Sequence, residues 1–434
     1  MINRLTLLPF LVLFAVLFRF AAAARQATTA SLPPIQDTLR IDLDSAEHIF
    51  LRQNLALLAQ RYNVDAQKAL IIQARLYENP NVSVEHGIYN TETHHWFPVG
   101  SDGQTSAGLS QLILLAGKRN KQVKIAQANA RLSEYEFYDL LRTLKYTLRA
   151  DFYNIYYLQE SAKTYEEEIR SLQKVVTAFD EQKGKGYISE KEVVRIKAQL
   201  YSLQSEYKDL QEQINDQQSE LRLVLQVKPV YIDPQVSTET IAAFNPVQYS
   251  VATLLDSAYN RRSDLLIAKA NTDISKLNYN YQRAMAVPDV TVNLSYDQQG
   301  SYIRNYTGLG VAIALPTFNR NQGNIKSAKA MIDYSAASQK SVEATVEEQV
   351  FRAVQKTVAA DKLLKGMDAG FPKDFQRLMH EVLLNYQKRN ITMLDFLDFY
   401  DAYKQNVLQL NNIQYNRISA FEELNFVTGT NFFN

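Results

Sequence analysis

Hydrophobic and polar residues alternate along two short segments in each half of the chain. The alternation is clearest over 290–296 and 309–315, where every second residue is Val, Leu, Ile or Tyr and the residues between are polar or small. A period of two is typical of β-strands that have one apolar face. We therefore predict strands at about 288–299 and 305–316, and a weaker pair at about 80–92 and 105–115.

A long stretch with helical spacing of apolar residues follows each pair of strands. Pro and Gly are almost absent from Lys118 to Lys183 and from Asn324 to Lys388. A helix of roughly 65 residues is about 100 Å long, which exceeds any compact domain. The segment Gly366–Pro372 interrupts the second stretch, so we expect that helix to break or kink there.

Each long stretch ends in a short turn followed by a helix-capping sequence. Ser189 precedes Glu192 by three residues, and Thr392 precedes Asp395 by the same spacing. This is the spacing of a capping box, in which the first side chain and the third residue of the helix bond to each other's backbone. The predicted helical hairpins span about 118–226 and about 322–427.

The two halves of the chain resemble each other in order and spacing. Each matched segment recurs after about 200 to 212 residues. The matching pairs are 43–46 with 255–258, 78–84 with 286–292, 123–128 with 325–330, and 187–192 with 390–395. A repeat of this kind fixes the architecture before any motif is read. We predict a first repeat over 25–227, a Pro-marked linker over 228–249 and a second repeat over 250–434.

The N-terminus has the pattern of an export signal. Arg4 precedes an apolar run from Leu5 to Phe18, and the small residues Ala21–Ala24 follow. We predict a secretory signal peptide over 1–24. The alternative is an N-terminal membrane anchor. No later stretch reaches the roughly 18 apolar residues that a spanning helix needs.

Composition removes several classes of function. The 47 Lys and Arg residues balance 46 Asp and Glu residues to a net charge of +1, which gives no electrostatic reason to expect a nucleic-acid partner. The chain has no Cys, so disulfides, thiolate metal sites and Cys nucleophiles are excluded. We find no catalytic constellation and expect neither an enzyme nor a cofactor. His94 and His95 are adjacent, but we interpret them as part of a surface loop rather than as a metal site.

Four amphipathic strands leave two open edges. In lipid each unpaired backbone group costs several kcal/mol, so four strands alone cannot span a bilayer and must be completed by other copies. A small soluble sheet on a coiled-coil protein is the alternative.

The junctions after the second strand of each pair are Leu115–Arg119 and Leu315–Gly323. With the repeat in register around them, the whole mature chain resembles the TolC family of outer-membrane efflux proteins. The segment Leu315–Gly323 is similar to the heavy-metal (cobalt-zinc-cadmium) branch. The resemblance implies a mainly α protein with a membrane β-barrel portion, in which a homotrimer builds a 12-stranded β-barrel and a 12-helix α-barrel.

The resemblance also implies functional residues near the two helical turns. Asp395 and Asp398 match the paired aspartates that ring the narrowest part of the tunnel in this family, and Asp395 also reads simply as a helix cap. Glu192 and Tyr386 match a latch between neighbouring hairpins, although Ile391 stands where the family often has a basic latch residue. The residues implied to contact a periplasmic adaptor are Gly186, Tyr187, Ile188, Ser189, Asn390, Ile391 and Thr392.

The function that follows from the resemblance is a passive exit duct in the cell outer membrane, with its helical part in the periplasm. The implied partners are a periplasmic adaptor (membrane fusion protein), an inner-membrane efflux pump and outer-membrane lipid. Divalent metal cations are the expected cargo. Drugs or type I secretion substrates are an alternative cargo, and a periplasmic coiled-coil adaptor or scaffold is an alternative function.

Overall fold

The fold is given by a computed structural model that describes residues 37–300, 302–368, 370–388 and 390–433. The predicted signal peptide, 1–24, lies outside the described residues. In chain order the strands are β1 (Thr38–Asp42), β2 (Asn81–His86), β3 (Tyr89–Asn90), β4 (His95–Trp96), β5 (Thr105–Ile113), β6 (Tyr231–Gln235), β7 (Val290–Asp297) and β8 (Tyr306–Ile313).

The helices follow the order expected of a repeat. They are α1 (Leu43–Gln53), α2 (Leu55–Arg75), α3 (Lys118–Gly184), α4 (Glu190–Leu225), α5 (Thr238–Ala242), α6 (Val251–Arg261), α7 (Ser263–Met285), α8 (Gln322–Lys365), α9 (Phe371–Gln387) and α10 (Met393–Thr428). Each half therefore contains two short helices, a β-hairpin and a long helical hairpin. The break between α8 and α9 falls in the Gly366–Pro372 segment.

One antiparallel sheet joins the hairpins of the two halves in the order β2-β5-β7-β8. Val82 pairs with Leu109, Leu109 with Leu294, and Leu294 with Leu309, so four apolar side chains form a row across one face. The adjacent row on the other face contains Ser83, Gly108, Ser295 and Gly308. The sheet is therefore apolar on one face and polar or small on the other. Strands β2 and β8 are its open edges.

The long helices begin directly after the sheet. Helix α3 is continuous over 67 residues, which corresponds to about 100 Å. Helices α8 and α9, with 44 and 17 residues, form the equivalent rod of the second half. In the part of the chain that the structure describes, no helix is both long and apolar enough to cross a membrane.

The interval that we predicted as a linker is folded. Strand β6 pairs in parallel with β1, and the Gln218 side chain of α4 binds the Ile232 backbone through both its Nε2 atom (2.6 Å) and its Oε1 atom (2.8 Å). The sheet β1–β6 packs on α3, where Gln159 Nε2 donates to the Ile232 carbonyl at 3.0 Å.

Two buried ion networks connect the helices near this sheet. Arg149 of α3 donates to both carboxylate oxygens of Glu422 in α10, at 2.6 and 2.7 Å, and to Glu47 of α1 at 2.8 Å. Arg417 of α10 binds Asp361 at 2.8 Å and also donates to backbone carbonyls in the interval after β6. Breaking a buried pair of a guanidinium and a carboxylate destabilises the fold, because the remaining partner is left as an uncompensated buried charge.

One buried carboxyl group has no such partner. Asp151 lies on α3 with 9% of its surface exposed, and its Oδ2 atom has no hydrogen-bond partner among the described residues. Burial, with a smaller contribution from the charge of Glu220, raises the pKa of Asp151 to about 7. The folded state therefore favours the protonated carboxyl, so its contribution to stability is complete below the unfolded pKa near 3.8 and is lost as the pH rises through about 7.

Asp151→Asn should remove this pH dependence. We expect the variant to unfold about 2 °C above the wild type at pH 8, because no buried charge must form, and at the same temperature as the wild type at pH 4. Thermal unfolding of the detergent-solubilised protein, followed by circular dichroism, measures both. Asp216→Asn, an exposed carboxyl on α4, is the control. An equal difference at both pH values would contradict the assignment.

Candidate channel tips and constriction

The first helical hairpin ends in a tight turn between α3 and α4. Gly186 adopts the left-handed backbone conformation, with φ of 76°, and its N–H donates to the Lys183 carbonyl at 2.9 Å. Ser189 then caps α4 through a capping box with Glu192, whose carboxylate accepts from the Ser189 N–H at 3.0 Å and from its hydroxyl at 2.8 Å. The turn exposes Tyr187 and Gly186 at the end of the molecule remote from the large sheet.

The second helical hairpin ends in a related turn between α9 and α10. The Asn390 N–H donates to the Asn385 carbonyl at 2.9 Å. Thr392 caps α10 through a second capping box, in which the Asp395 carboxylate accepts from the Thr392 hydroxyl at 2.7 Å. The helix after each turn therefore begins with the same kind of capping box, as the repeat predicted.

Asp395 and Asp398 are exposed and lie one turn apart at the start of α10. Phe396 and Leu397 between them are buried, which fixes the orientation of the helix. The Asp395 carboxylate is engaged by the Thr392 cap, so the cap reading of this residue is correct. The cap leaves the Asp395 side chain exposed.

Tyr386 and Glu192 lie near each other although they belong to different hairpins. The Tyr386 ring stacks on Phe396 with centroids 4.3 Å apart, and its buried hydroxyl has no hydrogen-bond partner within the described ranges. Burial raises the pKa of Tyr386, and the charge of Glu192 raises it further. The charge of Glu192 therefore acts on Tyr386 within one chain, and the latch stays a prediction.

A polar groove that we did not predict lies between α3, α4 and α10. It is a cavity of about 470 Å³, lined by Asn154, Ser161 and Tyr165 of α3, Glu206 and Asp209 of α4, and Asn411 of α10. Lys404 of α10 contacts Glu206 at 2.8 Å. The only sequence signal was a run of polar residues on α3 at spacings of three and four, and that run alone does not reveal which helices face it.

Glu168 continues the same side of α3 toward the tips. The side chain is buried, and one carboxylate oxygen has no hydrogen-bond partner among the described residues. Burial raises the pKa of Glu168 to about 7, although the Tyr400 hydroxyl opposes the shift.

The histidines do not assemble into a metal site in the described part of the chain. The Tyr89 hydroxyl lies 3.0 Å from His94 Nδ1 in the small hairpin β3–β4, and His86 pairs with the Thr105 hydroxyl at 2.9 Å. Across the described ranges no three His, Cys, Asp or Glu side chains are grouped closely enough to hold a metal ion.

Comparison with known proteins places this geometry in a family. The profile of the family described as outer membrane efflux protein matches residues 48–225 and 254–430, one match in each repeat. The sequence is 22% identical over 314 residues to the cobalt-zinc-cadmium resistance protein CzcC of Cupriavidus metallidurans, and the alignment covers 71% of each chain.

Solved structures share the fold. The Campylobacter jejuni CmeC outer membrane channel superposes with a TM-score of 0.76 at 14% identity, covering 90% of this chain and 86% of that chain. The open state of the Neisseria gonorrhoeae MtrE outer membrane channel gives 0.71 at 16% identity, covering 90% and 89%. The predicted tandem fold is confirmed. Because the family profile matches both repeats across most of the chain, this protein belongs to the outer membrane efflux protein family, and it is a channel protein rather than an enzyme.

Proposed function

We propose that this chain is the passive exit duct of a tripartite efflux system for divalent metal cations. Three copies form the duct, with their sheets in the outer membrane and their helices in the periplasm. An inner-membrane pump and a periplasmic adaptor deliver the cargo. The observation that carries the proposal is the direct continuation of an open-edged sheet, apolar on one face, into a helix of 67 residues.

The two open edges call for neighbouring copies of the chain. Strand β8 of one copy is antiparallel to β2 of the next if the sheet order continues around an axis. Three copies then supply twelve strands, which close into a barrel with a lumen and leave no edge in lipid. The apolar face with the row that contains Leu109 and Leu294 would face lipid. The opposite face, with the row that contains Ser83 and Ser295, would face water.

The tips are the proposed site of adaptor contact. The two turns lie at equivalent positions in the two repeats. The first contains Gly186 and Tyr187, and the second contains Asn390 and Thr392. The capping boxes of Ser189 and Thr392 hold the turns in place. In this proposal Glu192 and Tyr386 form the latch between neighbouring hairpins, because the charge of Glu192 already acts on Tyr386 within a single copy.

Two features support a cationic cargo. Asp395 and Asp398 would form a ring of six carboxylates around the axis of a trimer, and such a ring favours cations at a constriction. The polar groove with Glu206 and Asp209 lies on the side of α3 away from the β1–β6 sheet, which we assign to the lumen. The relative named for cobalt, zinc and cadmium resistance agrees with a metal cargo.

Deletion of the protein tests the cargo. We expect tolerance of the host to zinc and cobalt to fall severalfold, because the exit step is lost, while tolerance to detergents and dyes stays the same. Growth inhibition by each compound is the measurement, with the plasmid-borne gene as the control. Unchanged metal tolerance together with lost detergent tolerance would assign the duct to drugs instead.

Neutralising the aspartate pair tests the constriction. The double variant Asp395→Asn and Asp398→Asn should reduce the cation-to-anion permeability ratio severalfold, because the ring of charge is removed while the Thr392 cap keeps an acceptor. Single-channel recording in planar bilayers at asymmetric salt measures the ratio. Asp333→Asn, an exposed position on α8, is the control. A ratio equal to that of the wild type would show that the constriction lies elsewhere.

A further inference from the structure

A second cavity lies where the large sheet meets the helices. Its volume is about 450 Å³, and its lining includes Tyr77, Glu78, Gln111, Ile113 and Arg119. The residues come from the end of β5, the start of α3 and the segment that leads into β2. None of them belongs to the tips, the constriction or the polar groove.

The cavity is at the end of the apolar face of the sheet. Gln111 and Ile113 alternate with the polar-face positions of β5 and share their face with Leu109. They pair with Val292 and Val290 of β7, which are also on the apolar face. A ligand in the cavity would therefore meet the aliphatic Ile113 and the Gln111 amide on the strand side, and Arg119 and Asn120 on the helix side.

Arg119 supplies the main charge. Its guanidinium lies 3.7 Å from the centre of the Tyr77 ring, and its Nη1 atom lies 3.5 Å from the Arg75 carbonyl. The preceding residue is different: Lys118 is buried and pairs with Asp289 at 2.7 Å. The described contacts of Arg119 are thus a ring face and a backbone carbonyl, and both leave donors of the guanidinium for an anion.

Glu78 gives the cavity a second, opposite charge. The side chain is exposed at the lining, and Gln111 Nε2 fixes its backbone by donating to the Glu78 carbonyl at 2.9 Å. A guanidinium on a ring and a carboxylate in one cavity match a ligand that carries both a phosphate and an ammonium group. Arginine binds phosphate through two parallel hydrogen bonds.

We propose that this cavity binds the headgroup of a zwitterionic phospholipid with a primary amine, such as phosphatidylethanolamine. Arg119 holds the phosphate, Glu78 accepts from the ammonium group, and the acyl chains lie along Ile113 and the apolar rows of the sheet. The inference rests on the proposed placement of the sheet in the membrane. It assigns one lipid to each chain, in the leaflet nearer the helices.

Native mass spectrometry of the purified, full-length trimer tests the proposal. The probes are palmitoyl-oleoyl phosphatidylethanolamine, palmitoyl-oleoyl phosphatidylglycerol and inorganic phosphate. We expect the wild type to retain phosphatidylethanolamine more tightly than phosphatidylglycerol. Arg119→Gln should weaken binding of both lipids about tenfold, whereas Glu78→Gln should weaken only the binding of phosphatidylethanolamine. Arg195→Gln, an exposed arginine near the tips, should behave as the wild type.

Three outcomes would overturn the proposal. Lipid affinity that is unchanged in Arg119→Gln excludes the site. Competition by inorganic phosphate at the same concentration as lipid would make the cavity a site for soluble anions. If Arg119→Gln reduces the amount of trimer, and the trimers that still form bind lipid as the wild type does, the cavity is a contact between subunits. Tyr77→Leu, which removes the ring under the guanidinium, replaces Arg119→Gln if that variant does not fold.

The wild-type protein separates this inference from the proposed function. If it forms no trimer and conducts no ions in planar bilayers, the duct itself is wrong and the lipid site fails with it. If the wild type conducts normally and its lipid affinity does not depend on Arg119 or Glu78, only the lipid site is wrong.

Discussion

The unpaired edges of one small sheet are the constraint on which the rest of this account depends. Strands β2 and β8 each present a row of backbone groups with no strand partner among the described residues. In water such edges are tolerated, but in lipid every unpaired group costs several kcal/mol. The sheet is apolar across the face that carries Leu109 and Leu294, so its chemistry suits lipid while its topology forbids a lone copy there. In the proposed duct, association of copies resolves the conflict.

The tandem repeat explains how one chain supplies four strands of the sheet and two pairs of long helices. Each half contributes a β-hairpin, and the two hairpins pair through β5 and β7. Each half also contributes a rod and a return helix that end in a capping box. The buried network around Arg149 connects the two halves, because Glu47 belongs to the first repeat and Glu422 to the second. Arg417 connects the second repeat to the interval after β6. The long helices of the two repeats are therefore connected by buried charge pairs.

The sequence predicted elements whose signals are local. These signals are the alternation at Val290–Tyr296, the scarcity of Gly in the rods, and the spacing of the capping boxes at Ser189 and Thr392. Each is recognised from residues that are close in sequence. It did not predict the β1–β6 pair, whose strands are far apart in the chain and too short to show a period. The groove around Glu206 and the pairing of Arg149 with Glu422 were also missed, because each depends on which helices become neighbours. The sequence suggested two roles for Asp395, a helix cap and a residue of the constriction, and the structure establishes only the cap.

Disulfide cross-linking in the cysteine-free chain tests the central claim most directly. Val84→Cys on β2 would be combined in turn with Thr307→Cys, Leu309→Cys or Val311→Cys on β8. Within one copy these edges are about 14 Å apart, too far for a disulfide, so any bond must join different copies. We predict covalent trimers on non-reducing gels after oxidation of intact cells for at least one pair. Monomers alone from every pair, in membranes that contain the folded protein, would contradict closure of the sheet by neighbouring copies.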